Sequence, residues 1–169
     1  MIIAVTGHRP NKLGGYTEIA QDRVYKLAYD TLKLLHPNEV ITGMALGWDQ
    51  AIAQACVDLK IPFHAYVPFQ GQEAMWNTLS KRIYWDLRDK AASVKVICSP
   101  GFAGWKMQKR NEAMVDDAQS VLALFDGSFT GGTANCVLYA QRKRKRIKNV
   151  WPEFQAMLGH RPNQGEMKL

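Results

Sequence analysis

Short apolar runs rich in β-branched residues alternate along this chain with longer stretches whose apolar residues recur at helical spacing. This alternation predicts strand–helix–strand units, because consecutive parallel strands need a helical crossover. The predicted strands occupy residues 2–7, 39–45, 63–69, 94–100, 120–126 and 147–151, and the predicted helices 18–35, 49–59, 76–92, 107–118 and 134–144. We therefore expect an α/β three-layer sandwich with a mainly parallel sheet of five to seven strands.

The length of 169 residues suits one compact domain with its own core. No shift in composition marks a second domain, so we expect the domain to span 1–150. The segment 151–169 is expected to be a tail, partly helical or disordered. The string GHRPN occurs at 7–11 and again at 159–163. The second copy does not follow a predicted strand, so we interpret it as coincidence and not as a duplicated domain.

Charge and cysteine usage narrow the class of protein. The net charge of +7 and the pI near 9.4 favour anionic partners. Three isolated cysteines and four scattered histidines fit reduced thiols in a cytoplasm and give no metal-ligand spacing. No apolar run approaches the ~20 residues that span a bilayer. We expect a cytoplasmic protein without metal, cofactor or membrane partner.

Three of the predicted strand-to-helix turns contain glycine, which allows positive φ and close approach of a ligand. In a parallel sheet these turns meet at one edge, beside helix N-termini that favour anions. The candidate ligand-binding residues of these turns are Thr6, Gly7, His8, Arg9; Gly43, Ala45, Gly47, Trp48, Asp49; and Asp126, Gly131, Gly132, Thr133, Asn135. The alternative is that tight turns of α/β proteins use glycine for folding alone. Neither a GxGxxG nor a GxxxxGK[ST] pattern is present.

Two arginines are candidates to hold a phosphate, since a guanidinium binds it bidentately. Arg9 follows the first strand, and Arg110 lies near the start of a helix. We expect both to point into a shared anion pocket. For Arg110 the alternative is a surface ion pair with Glu112 or Asp116.

Three further candidates carry both a functional and a structural interpretation. Asn111 suits a base or ribose, or a helix cap. Asp49 suits ribose hydroxyls, or the favourable N-terminal end of a helix. Trp48 suits stacking on a base, or packing in the core.

The strings TGHRP, GMALGWDQ, PFQGQEAMW, MQKRNEAMVDDA, LFDG and GGTANCVLYA, in this order, resemble the YspA-like branch of the SLOG superfamily of bacteria and phages. The resemblance runs from Met1 to about Ala140. It implies a Rossmann-like fold that binds a nucleotide or nucleotide-derived ligand, and a homo-oligomer. Gln72 and Trp76 match family positions, although a solvated Gln and a helix-anchoring Trp explain them equally well.

The Lonely Guy phosphoribohydrolases of the same superfamily have the patterns MxxRKxxM and PGGxGTxxE. Met107, Arg110 and Met114 fit the first pattern, with Asn111 in place of Lys. Cys136 stands at the position of the glutamate in the second. Hydrolysis of an N-glycosidic bond needs a carboxylate near an oxocarbenium-like state, so Asp49 or Asp126 would have to supply it.

A basic run from Arg142 to Arg146 ends the last predicted helix. A solvated helix end is its first interpretation, and nucleic acid or an anionic surface is the second. Three functions therefore stay open: a protein that senses or sequesters a nucleotide, an N-glycoside hydrolase, and a single-stranded DNA-binding module. The last is less favoured, because the sequence shows no basic groove interleaved with aromatic residues. Whether the chain is an enzyme is left open.

Overall fold

A computed structural model describes residues 1–159. Six parallel strands form one sheet in the order β4-β3-β2-β1-β5-β6, with β1 in the interior. The strands are β1 (Ile2–Gly7), β2 (Glu39–Thr42), β3 (Phe63–Val67), β4 (Ser93–Val96), β5 (Ser120–Leu124) and β6 (Arg146–Asn149). The expected α/β fold with a mainly parallel sheet is confirmed.

Six helices connect and follow the strands. They are α1 (Glu18–Leu35), α2 (Trp48–Leu59), α3 (Thr78–Asp89), α4 (Gly104–Asp117), α5 (Gly132–Arg142) and α6 (Trp151–Met157). A short 3-10 turn (Pro10–Lys12) follows β1. Two helix starts are fixed by side chains: Thr17 accepts a hydrogen bond from Ala20 N, and Asn77 accepts one from Ser80 N.

Two hydrophobic clusters cover the two faces of the sheet. The larger cluster packs α1, α2, α3 and α6 against one face, with Val5, Trp48 and Phe154 among its buried residues. The smaller one packs α4 and α5 against the other face, around Ile41 and Met114. The four central strands β3, β2, β1 and β5 are therefore shielded on both sides, whereas the outer strands β4 and β6 are largely exposed. Ligands reach the central strands at their carboxyl ends.

Several elements end earlier than the sequence indicates. β2 stops at Thr42, three residues before the expected end, because the chain turns into the loop that contacts Arg110. β4 stops at Val96, four residues before the expected end at residue 100. The segment after β4 is instead held by the buried Lys106 ammonium, which donates to the carbonyl oxygens of Ser99, Pro100 and Gly101.

The segment expected to be a tail begins with helix α6, which places Phe154 in the core. This helix therefore packs with the domain. Residues 160–169, with all but the first residue of the second GHRPN string, lie outside the described residues.

Candidate functional site

A cavity of about 260 Å³ lies at the carboxyl ends of β1 and β5, bordered by the turns after β1, β2 and β5. Its lining residues are Val5, Thr6, Gly7, His8, Arg9, Asn11, Lys12, Ala45, Asp49, Met107, Arg110, Asn111, Thr130, Gly131, Gly132 and Thr133. We call this cavity the edge pocket. It brings together eleven of the residues that the sequence marks as candidates, so the three glycine-containing turns share one edge of the sheet.

The N-terminus of α5 forms one wall of the edge pocket. Gly131 has φ 106° and precedes the first helical residue, Gly132. A Cβ built on either glycine would meet no atom within 4 Å, so the space beside them is open. Free N–H groups and the positive end of the helix dipole give this wall an affinity for anions.

Arg110 forms the floor and is already engaged by the protein. Its side chain is 6% exposed, and Nη1 donates to the carbonyl oxygens of Gly43 at 2.5 Å and Tyr66 at 3.4 Å. Nε donates to Asn111 Oδ1 at 2.9 Å. Burial lowers the pKa of Arg110, partly offset by Asp49. Much of the hydrogen-bonding capacity of Arg110 therefore holds the turn after β2 against α4. Arg110 forms no surface ion pair with Glu112 or Asp116, the alternative that the sequence offered.

Asp49 faces the same region from the first turn of α2. Burial raises the pKa of this carboxyl to about 6, although Arg110 and the Ala45 N–H favour the charged form. Ala45 N donates to Asp49 Oδ2 at 3.4 Å. The edge pocket thus contains one carboxylate that is charged at neutral pH and retains its proton to a higher pH than an exposed aspartate does.

Close contacts explain the glycines of the first two turns. A Cβ at Gly7 would lie 2.5 Å from Trp48 Cδ1, and one at Gly43 would lie 2.6 Å from Arg110 Cζ. Both glycines therefore permit close packing within the protein. Trp48 is fully buried beneath Gly7, so of its two interpretations the structure fits core packing and leaves no face for a base.

His8 and Asp126 connect the turn after β1 to the turn after β5. Asp126 N donates to His8 Nε2 at 3.1 Å, and the Asp126 carboxylate lies 2.8 Å from the same nitrogen. Burial lowers the pKa of His8, partly offset by Asp126. Burial opposes charge on Asp126, but hydrogen bonds from Ser128 and Lys12 hold its pKa below the ordinary value.

Several sequence candidates lie outside the lining. Gly43, Gly47, Trp48, Gln72, Trp76, Asp126 and Asn135 do not border the edge pocket. Gln72 is buried and donates to the Gly43 carbonyl at 3.3 Å, and Trp76 packs edge-on against Tyr84. Gln72 therefore supports the turn after β2, and Trp76 packs against the larger hydrophobic cluster. Asn135 is exposed on α5.

Four polar or flexible lining residues were not among the sequence candidates: Asn11, Lys12, Met107 and Thr130. Lys12 lies in the 3-10 turn beside Arg9 and adds a second cation. A signal for it existed in the sequence, since Lys12 follows the TGHRP string by two residues. Thr130 directly precedes the glycine pair of the third turn.

Cys136 lies in α5 beneath the pocket and does not line it. It is buried, and burial raises the pKa of its thiol to about 11. The thiol is therefore protonated at neutral pH, which removes the negative charge that the glutamate supplies in the Lonely Guy pattern.

A second cavity of about 270 Å³ lies between α1, α2 and α3. Its wall is mostly apolar, and Asp22 is the one charged residue among those that line it. A site for an anion needs donors and positive charge. The edge pocket has both, so it is the candidate functional site.

The basic run lies far from this site, because α5 begins at the carboxyl edge of the sheet and ends at the opposite edge. Lys143 pairs with Asp116 at 3.1 Å, and Lys145 donates to the Ala118 carbonyl at 2.6 Å. Arg142 lies over the Tyr139 ring. Part of this run therefore stabilises the end of α5 against α4.

The family model described as the YspA SLOG family matches residues 3–153, most of the chain. The chain belongs to the YspA SLOG family. It is 36% identical over 119 residues to the uncharacterized SPbeta prophage-derived protein YoqJ of Bacillus subtilis, covering 60% of this chain and 68% of that protein. It is also 23% identical over 155 residues to a UPF0398 protein of Bacillus velezensis, and the match covers 85% of each chain.

Solved structures of similar fold include two DNA processing proteins. The one from Streptococcus pneumoniae has a TM-score of 0.59 at 16% identity, covering 94% of this chain and 54% of that one. The one from Helicobacter pylori, described with a single-stranded DNA binding mode, has a TM-score of 0.61 at 15% identity, with 96% and 74% covered. The chain thus spans about half the length of the pneumococcal protein.

A third similar structure is the molybdenum cofactor carrier protein of Chlamydomonas reinhardtii. Its TM-score is 0.56 at 15% identity, covering 92% of this chain and 83% of that one. At these identities the similarity shows a shared fold.

Within residues 1–159 no group of three His, Cys, Asp or Glu side chains is arranged to hold a metal ion. No helix in that range is long and apolar enough to cross a bilayer. The homo-oligomer and the cytoplasmic location stay predictions from the sequence.

Proposed function

We propose that the edge pocket binds a nucleotide or a nucleotide-derived ligand, which the protein senses or sequesters. The observation that supports this most strongly is the convergence of the α5 N-terminus and two cations, Arg9 and Lys12, on one cavity. The N–H groups and cations suit a phosphate, since charge-assisted hydrogen bonds are the strong ones. Asp49 and Asn111, which also line the pocket, suit ribose hydroxyls.

Arg9 is the cation best placed for recognition. It is exposed, it lines the edge pocket, and it forms no ion pair with any other residue in 1–159. Lys12 is partly committed to Asp126 at 3.2 Å, and Arg110 to the turn after β2. The phosphate contact should therefore depend on Arg9 more than on Arg110, in contrast to the equal roles that the sequence indicates.

Replacing Arg9 by Ala tests the proposal. We expect the affinity for the tightest-binding member of a nucleotide panel to fall by ~1.5–3 kcal/mol, the size of a lost hydrogen bond between charged groups. Stability should change by less than about 0.5 kcal/mol, because Arg9 is exposed. Arg142→Ala at the opposite edge is the matched control and should bind normally. A parent chain that binds no nucleotide, or an unaffected Arg9 variant, contradicts the proposal.

An N-glycoside hydrolase is the second candidate, favoured by Asp49. It is the one carboxylate that lines the edge pocket among the described residues, and its raised pKa suits a general base. Chromatography of each nucleotide after incubation would then show the free base and ribose phosphate. Asp49→Asn should abolish these products, and their absence with the parent chain leaves binding alone.

A further inference from the structure

Phe129 lies in the turn between β5 and α5, and 97% of its side chain is exposed. Within residues 1–159 no large apolar side chain is more exposed. Scattered exposed apolar residues need no explanation. This one directly precedes Thr130, which lines the edge pocket. The position of the Phe129 ring next to the edge pocket, together with its exposure, makes it a candidate for contact with a ligand.

The turn that holds Phe129 is anchored on the preceding side. Lys12 Nζ donates to Asp126 Oδ2 at 3.2 Å and to Ser128 Oγ at 3.4 Å. Ser128 N also donates to Asp126 Oδ1 at 3.0 Å. On the following side the chain enters α5 at Gly132. Hydrogen bonds of Asp126 and Ser128 thus hold the turn on one side of Phe129, and the Phe129 ring itself is exposed to solvent.

The edge pocket is small, and many of its lining residues are polar. Its volume of about 260 Å³ lies below the ~300–1,000 Å³ of typical ligand pockets. Its walls are mostly polar, and Val5, Ala45 and Met107 are the apolar side chains among the lining residues. A phosphate and a ribose match such walls, whereas a base would project beyond the rim and need an apolar or aromatic surface there.

We propose that Phe129 stacks on the base of a nucleotide whose phosphate and ribose occupy the edge pocket, an assignment that rests on the proposed function. Every base has a π-face, so stacking on one ring tolerates different bases. The ring would then add affinity for the base without selecting its identity. Hydrogen bonds at the rim would have to supply any base specificity.

Two other strongly exposed aromatic rings already have partners. Phe102, 79% exposed, meets Phe69 edge-on at 6.1 Å, and Trp105 lies 5.6 Å from the Lys106 ammonium. Neither residue lines the edge pocket. Phe102 therefore offers a matched control: the same residue type, also exposed, in a different loop.

The test compares AMP, GMP, CMP and UMP with ribose 5-phosphate, which lacks a base, and with an oligothymidylate, by titration calorimetry. The chains are the parent, Phe129→Ala, Phe129→Trp and Phe102→Ala. Loss of the ring should weaken binding of the nucleotides about five- to tenfold, a low value for one lost base stack. Ribose 5-phosphate should bind the parent and Phe129→Ala within about twofold of each other. Phe129→Trp should retain nucleotide affinity, and Phe102→Ala should match the parent.

The alternative outcomes separate the two proposals. Nucleotide binding by Phe129→Ala equal to that of the parent overturns the stacking role and leaves the proposed function standing. Equal losses for nucleotides and ribose 5-phosphate also overturn it, because the change then acts on the pocket. A loss confined to an oligothymidylate would assign the ring to single-stranded nucleic acid and overturn its role for free nucleotides. A parent chain that binds none of these compounds removes both proposals.

Discussion

The turn after β2 and the turn after β5 contain glycine for different physical reasons. A Cβ at Gly43, after β2, would lie 2.6 Å from Arg110 Cζ and 2.8 Å from Asp49 Oδ2. A Cβ at Gly132, after β5, would meet no atom within 4 Å. The protein's own charged groups occupy the space beside the first glycine, and the space beside the second is open. One turn supports the edge pocket, whereas the other provides an accessible wall.

Replacing Gly43 by Ala should have the largest effect on stability. The added methyl group would displace the buried Arg110 guanidinium, whose carbonyl partners would then lose their donor. Overpacking together with a disturbed buried charge should lower the free energy of unfolding by about 3 kcal/mol. Urea denaturation measures this loss. A Gly43 variant as stable as the parent would show that the turn after β2 has room for a methyl group. The two turns would then not differ in the space beside their glycines.

Asp49, which lies beside the turn after β2, should also make stability depend on pH. Burial raises the pKa of Asp49 to about 6, from an ordinary value of 3.8, so the native state keeps this proton at a higher pH than the unfolded chain. Its contribution to stability is therefore fully present below about pH 4 and is lost as the pH rises through 6. The loss is on the order of 3 kcal/mol.

Asp49→Asn isolates this contribution, because an amide does not titrate. Urea denaturation between pH 4 and 7 should show a steeper decline for the parent than for the variant. Parallel profiles would mean that the carboxyl titrates alike in the folded and unfolded chains.

Replacing Gly132 by Ala should affect binding and leave the fold intact. Its φ is not positive and it is the first residue of α5, so alanine fits the backbone and improves helix propensity. The methyl group would occupy the open wall, and nucleotide affinity should fall about tenfold, measured by calorimetry. Stability should change by less than about 1 kcal/mol. Asn135→Ala on the same helix is the control, and a Gly132 variant with parental affinity would place the ligand elsewhere.

The smallest effect is expected at the opposite edge of the sheet. Replacing the exposed Arg142, Arg144 and Arg146 by Gln should leave nucleotide affinity within about twofold, because the screened charges lie far from the edge pocket. Any affinity for nucleic acid should become less dependent on salt. A salt titration of oligonucleotide binding measures that slope. A large loss of nucleotide affinity would contradict the location of the site.

The sequence was sufficient to predict the parallel sheet and the edge at which its glycine turns meet. Periodicity gives strand and helix type, and topology then puts the turns together. The roles of individual residues were harder to predict. Trp48 and Arg110 are both ligand candidates in the sequence, yet Trp48 lies in the core and Arg110 is bonded to backbone carbonyls. Only tertiary contacts decide which side chains are buried in the core and which line the pocket. The role of Lys12 could not be predicted for the same reason, because its position depends on the 3-10 turn.

The order of the strands has a consequence for how the protein is made. β1 pairs with β2 and with β5, so its second neighbour leaves the ribosome about 115 residues after β1 itself. Long-range pairings of this kind form late, since loop closure must precede them. In the nascent chain, one side of β1 therefore stays without its partner strand through most of synthesis. The chain gains its ligand site only when the segment around Gly131 emerges.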